Sequence, residues 1–205
     1  MRQILRFVLL FTTMGLIPLG AQQAEYEVEV AGQTYSATDN QPFTITSPQG
    51  EQFEIVIRRK ETVEYNDNGI AFRYYSDMTF STENDVGVIT LTLDASESPL
   101  ALIQIYSVPT TPDLIRKSLV EAFRNEFKSR QAEFLEESGR EKIIQFNGVD
   151  CRGTVLEFYL ARQRMQTEIY AFAKGASVIA VVLQHDMEDQ ELAEKYFSEI
   201  AATLR

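Results

Sequence analysis

Residues 177–184 constrain the fold more than any other stretch. Ile179, Val181 and Leu183 alternate with Val178, Ala180 and Val182. A strand that alternates polar and apolar residues covers one face and wets the other; a strand apolar on both faces is covered on both. Such a strand sits inside a sheet, and the sheet needs a layer packed against each side. The chain therefore has to supply other strands to flank it and helices to cover it.

The helices are legible. From Asp186 onward Leu192, Ala193, Tyr196, Phe197, Ile200, Ala201 and Leu204 recur at three- and four-residue steps, with Glu191, Glu194, Lys195 and Glu199 on the other side. That is an amphipathic helix opened by a capping Asp and acids in its positive first turn. A second helix is expected after Thr110-Thr111. Pro112 suits the first helical position, Asp113 the first turn, and Ile115, Leu119, Ala122, Phe123 and Phe127 form one stripe. Lys117, Arg124 and Lys128 take the opposite side, and Gly139 is expected to stop it.

The remaining apolar-alternating runs read as strands. Tyr26–Val30, Phe43–Thr46 and Phe53–Ile57, with a turn at Ser47-Pro48-Gln49-Gly50, form a small β unit. Asn66-Asp67-Asn68-Gly69 separates it from the rest. Ile70–Tyr75, Val86–Leu93 and Leu100–Val108 follow, with 76–85 expected as loop and Ala95–Pro99 as turn. Lys142–Phe146 and Val149–Ala161 flank Asn147-Gly148, a tight hairpin signal. Thr167–Ala173 leads through Lys174-Gly175 to the central strand. Short connections favour antiparallel neighbours. The fold class is α+β: an antiparallel sheet flanked by helices, with a small N-terminal β unit. The expected divisions are 1–21, 22–65 and 66–205.

The first 21 residues read as a secretory signal peptide. Met1–Arg6 carries Arg2 and Arg6 and no acid, Phe7–Gly20 is almost wholly apolar, and Leu19-Gly20-Ala21 offers small residues for cleavage before Gln22. A spanning anchor needs about 20 apolar residues, and Pro18 and Gly20 break this shorter run. No Cys lies near the site to accept lipid. The working chain is expected to be exported, to the periplasm or the exterior, without stable membrane insertion after cleavage.

Charge narrows the partners. The net charge is −11, and loss of Arg2 and Arg6 makes it two units more negative. A distributed negative surface opposes nucleic-acid binding, which needs Lys and Arg to displace counterions. With 44% hydrophobic residues, 13 Phe and 9 Tyr, the chain can fill a core. Its single cysteine, Cys151, cannot form an internal disulfide; the alternation around it reads as the inward face of a strand, where a thiol behaves as a small apolar group.

Gly69-Ile70-Ala71-Phe72-Arg73-Tyr74-Tyr75-Ser76-Asp77-Met78 resembles the opening stretch of the PsbP-like superfamily, Gly–x–x–Phe–x–Tyr–Pro–x–x–Trp, with Tyr75 in place of the Pro and Met78 of the Trp. Asn147–Gly153 resembles the start of a later strand of that family, and Tyr196–Arg205 its closing helix. The resemblance to this Mog/PsbP-like fold, in a bacterial exported member, spans Gly69–Arg205. It implies an antiparallel sheet between helices and binding or assembly roles rather than chemistry. No residue here matches a metal motif of the photosynthetic members.

Candidate sites are sparse. His185-Asp186-Met187-Glu188-Asp189 offers an imidazole and three carboxylates, a ligand set for a divalent metal or, with a nucleophile, hydrolysis; a capping segment, with acids in the positive first turn, is the favoured explanation. Asn66–Gly69 echoes a calcium loop, but the twelfth position from Asn66 is Asp77 rather than Glu. Asp94 and Glu97 flank a turn as a potential acid–base pair. Phe72, Tyr74, Tyr75, Tyr106, Tyr159 and Tyr170 would line either a groove or the core. Arg58-Arg59-Lys60 and Arg162/Arg164 are the basic clusters, and Arg162 and Arg164, at a hairpin tip, are the candidate partner contact. No nucleophile elbow or phosphate-cradling glycine loop is present. The expectation is a non-enzymatic exported protein of the bacterial envelope, without cofactor or metal, that binds another envelope component. The rivals are a hydrolase using His185 and a metal-binding module at Asp186–Asp189.

Overall fold

The computed structural model describes residues 25–96 and 98–205, with the side chain of Glu25 left aside. The signal-peptide reading, on residues 1–21, and Glu97 lie outside them. The described chain divides into two compact units that part between Arg59 and Lys60.

The smaller unit is two antiparallel hairpins. Strand β1 (Glu25–Val30) pairs with β2 (Gln33–Thr38), and β3 (Pro42–Thr46) with β4 (Gln52–Val56). Ala37 and Ile45 are its buried side chains, and Tyr35 meets Phe43 with ring centroids 6.2 Å apart. Strand β2 falls between the expected strands Tyr26–Val30 and Phe43–Thr46, where no strand is expected. Its residues Gln33 and Thr34 are polar and exposed, so alternation is weak there.

The larger unit contains β5 (Thr62–Asp67), β6 (Ile70–Tyr75), β7 (Thr79–Asp85), β8 (Val88–Asp94), β9 (Leu100–Tyr106), helix α1 (Pro112–Ser129), β10 (Glu133–Phe134), β11 (Arg140–Phe146), β12 (Val149–Leu160), β13 (Gln163–Lys174), β14 (Ser177–Asp186) and helix α2 (Gln190–Thr203). The main sheet runs β10-β12-β13-β14-β9-β8-β7, and β11 shares the β12 edge with β10. Every pairing is antiparallel. Two meanders thus meet where β14 pairs with β9. The doubly apolar strand is central, as its composition requires.

The two faces of β14 divide the core. Val178, Ala180 and Val182 pack with Leu102, Leu156, Phe158 and Ile169 beneath Leu119 and Phe127 of α1. Ile179, Val181 and Leu183 pack with Leu91, Ile103 and Tyr170 beneath Tyr196, Phe197 and Ile200 of α2. The β5–β6 hairpin adds Ile70 and Phe72 to the α2 side. The end of α2 is stitched in place: Ala71 and Arg205 exchange backbone bonds of 2.8 and 2.9 Å, and Asn147 N–H donates to the Ala201 carbonyl at 2.8 Å.

Local chemistry explains the boundaries. The Thr111 hydroxyl accepts from Leu114 N–H, and Pro112 opens α1. The helix ends at Ser129, ten residues before Gly139; Gln131, at φ +64°, makes the left-handed turn that a glycine usually supplies. Residues 79–85 form β7 rather than a loop. An edge strand takes its hydrogen bonds from one neighbour and needs few apolar residues, and here only Phe80 of the strand is partly buried. Val86, read as the start of a strand, is in the β7–β8 turn and almost fully exposed. Asn66–Gly69 turns β5 into β6, with Asn68 and Gly69 both at positive φ. Residues 62–65 therefore pair inside the larger unit, and the division falls at 59/60 rather than 65/66.

Candidate functional site

Two regions bear on function: a polar patch on the α2 side of the sheet, which takes in His185 and Arg164, and the corner where β12 turns into β13.

Strands β11 to β14 project a ladder of polar side chains. Successive residues of a strand point to opposite faces, so Arg140 and Lys142 of β11, Glu157 of β12, Gln166 and Glu168 of β13 and His185 of β14 meet on one side. Glu168 is buried. Its carboxylate accepts Lys142 Nζ at 2.6 Å, Gln166 Nε2 at 2.6 Å and the Tyr170 hydroxyl. A buried charge is tolerated when paired and fully hydrogen-bonded, and this one is. Burial, then the neighbouring Glu168, push the Tyr170 hydroxyl far above its ordinary range. Beside it Glu157 is held between Arg140, at 2.9 Å, and Arg164, at 2.9 Å. Burial pulls the Glu157 carboxyl up, but the hydrogen bonds from Arg164 and Arg140 prevail and hold it below the usual range.

The potential reacting groups are enclosed. Cys151 is buried on the α2 side; Sγ lies 3.5 Å from the Ala171 carbonyl, and burial raises its pKa. A nucleophilic thiol needs the opposite shift. His185 is 4% exposed, and neither ring nitrogen has a hydrogen-bond partner. Among the described residues neither nitrogen is bonded to a hydroxyl or thiol that it could activate. The metal arrangement is not assembled. Asp186 follows His185 in β14 and points to the other face, where its carboxylate accepts Glu188 N–H and caps the turn at Met187–Asp189. Among the described residues no group of three or more His, Cys, Asp or Glu is placed to hold a metal ion.

The corner is built differently. Ala161 and Arg162 connect β12 to β13 at φ +50° and +75°, the left-handed geometry that lets a two-residue turn follow the strand twist. Beside them Arg130 and Gln131 end α1. Together with Glu133, Tyr159 and Leu160 they wall a concave pocket of about 580 Å³. Tyr159 is 41% exposed. Arg162 has no ion pair among the described residues. The structure therefore separates the two arginines: Arg162 faces the pocket, whereas Arg164 is tied to Glu157. A second pocket, about 240 Å³, lies on the α2 side between Phe146, Cys151, Phe172 and Leu204.

The other candidates dissolve into the fold. Phe72, Tyr106 and Tyr170 are core; Tyr106 donates to Gln104 Oε1 at 2.7 Å on the α1 side, so these rings do not share one groove. Asp94 ends β8, and burial raises its pKa. In the Arg58–Lys60 cluster, Arg59 N–H donates to Asp39 Oδ1 at 3.0 Å. Sequence reasoning missed the polar ladder. The alternation of Arg164, Gln166 and Glu168 was its one available signal; which residues face them across β11 and β12 depends on register.

No helix among the described residues is long and apolar enough to cross a membrane. No family model and no curated protein matches the chain. Similar solved structures include a Bacteroides thetaiotaomicron VPI-5482 protein, 15% identical over 71% of this chain and 48% of that one, with a TM-score of 0.45; the chain thus spans about half the length of that protein. LpqN of Mycobacterium tuberculosis, described as involved in cell envelope biogenesis, is 13% identical over 70% of this chain and 87% of its own, with a TM-score of 0.43. The cyanobacterial PsbP of Synechocystis sp. PCC 6803 is 11% identical over 71% of this chain and 92% of its own, with a TM-score of 0.49. Each is a similarity of structure at low sequence identity.

Proposed function

We propose that this chain is an exported, non-enzymatic binding or assembly protein of the bacterial cell envelope, working in the periplasm or outside the cell. The smaller unit, up to Arg59, is an appendage, and the unit from Lys60 onward carries the contact. The partner is a protein or another envelope component and not a nucleic acid, and no cofactor takes part. The contact is the β12–β13 corner, with Arg162 facing the partner and Arg164 holding the hairpin through Glu157.

The observation that supports this most is the corner itself. It joins an arginine with no ion pair among the described residues, a half-exposed tyrosine and a concave wall. Tyrosine and arginine are the side chains that most often anchor interfaces. In a chain this acidic, a basic corner favours an acidic partner surface. The enclosed state of Cys151 and His185 supports binding over chemistry.

A photo-crosslinking side chain at position 162, in cells that export the chain, tests the reading. Position 117 on α1 is the control. A defined adduct from 162 that is absent from 117 and lost on competition with unlabelled chain is expected. Equal labelling from both positions, or a substrate that the purified chain turns over and the His185→Ala variant does not, overturns it.

A further inference from the structure

His185 is the only histidine of the chain. It lies near the end of β14, on the side of Ile179, Val181 and Leu183, under α2. The Phe197 ring meets it edge-on with centroids 6.0 Å apart. A neutral imidazole offers one donor and one acceptor. Here both nitrogens are buried without a partner, and buried polar atoms are rarely left so.

The charged groups that act on it come from β13, β11, α2 and β14 itself. Glu168 faces it from β13, Lys142 from β11 and Glu194 from α2, and Asp186 follows it in β14. None is a ready counter-ion. Glu168 is committed to Lys142, Gln166 and Tyr170. Glu194 accepts from Gln190 Nε2 at 2.8 Å, and Asp186 caps the following turn. Burial outweighs the pull of the carboxylates and lowers the imidazole pKa from 6.5.

We propose that His185 is an acid-sensitive latch beneath α2: neutral, it lets the helix close over the sheet, and protonated, it favours a form in which the start of α2 lifts and water reaches the ring. The sign follows from linkage. The exposed ring binds its proton near 6.5, and the enclosed ring binds it only at lower pH. Closure is unaffected above 6.5. Below it the open form takes a proton that the closed form refuses, so closure weakens until the pH passes the pKa of the enclosed ring. The open fraction rises by up to about tenfold per pH unit in that window.

The test is hydrogen exchange of the full chain against His185→Phe, an apolar ring of similar size beside Phe197. Both proteins are compared at the same pH, near 7 and near 5.5, so that the pH dependence of exchange chemistry cancels. The expected result is a loss of α2 protection on acidification that is larger in the wild type by up to about tenfold, with α1 alike in both. Equal losses in the two proteins, or α1 and α2 falling together, overturn the latch. Should the variant fail to fold by circular dichroism, NMR titration of the single imidazole in the wild type decides. A midpoint below 6.5 with α2 amide shifts following it supports the latch. A midpoint at or above that value, or unmoved α2 resonances, overturns it.

Discussion

Gly153 shows how tightly single positions of this sheet are set. A Cβ there would sit 2.2 Å from Tyr170 Cε1 and 2.9 Å from the Ile169 carbonyl. The Tyr170 ring lies on the glycine, and its hydroxyl is tied to Glu168. The ring cannot swing away without breaking a buried bond. Gly153→Ala should therefore cost about 1–3 kcal/mol through overpacking, read as a lower urea midpoint at unchanged slope. Lys142 tests the same cluster from its charged end. Lys142→Met leaves the Glu168 carboxylate with only neutral donors. Because Lys142 Nζ is partly solvated, with its side chain 39% exposed, a loss of about 2 kcal/mol is expected rather than the full cost of an orphaned buried charge. Little of this cluster was visible in the residues alone. Arg164, Gln166 and Glu168 alternate as a wetted face would, and only the pairing of β13 with β12, and of β12 with β11, turns that face into a closed network.

Elements with strong local chemistry were readable before the structure. Pro112 and the threonine before it announce α1, Asn147-Gly148 announces the β11–β12 hairpin, and the stripe from Leu192 to Leu204 announces α2. The elements that escaped are those whose stability comes from a neighbour. Strand β7 is held by β8 and β5 by β6, with few apolar residues of their own. The end of α1 escaped because Gln131 adopts a conformation usually left to glycine or asparagine. The start of α1 is a direct test. Thr111→Ala removes the acceptor for Leu114 N–H and should destabilise the chain by about 1 kcal/mol. Thermal or urea unfolding followed by far-ultraviolet circular dichroism reads that change.

At the scale of the whole molecule, the two helices and the β5–β6 hairpin cover both faces of the sheet and enclose the lone Cys and His. Outside lie many acidic side chains and, at the β12–β13 turn, a corner that joins Arg162 to the half-exposed Tyr159. On the proposed function, this corner is where the chain meets its partner. The most direct measurement is the affinity of the partner captured by crosslinking for the wild type, for Arg162→Glu and for Lys117→Glu on α1. At least about tenfold weaker binding is expected for Arg162→Glu, from loss and reversal of an interface charge, and wild-type binding for Lys117→Glu. Unchanged affinity for Arg162→Glu, or the same loss for both variants, would contradict it.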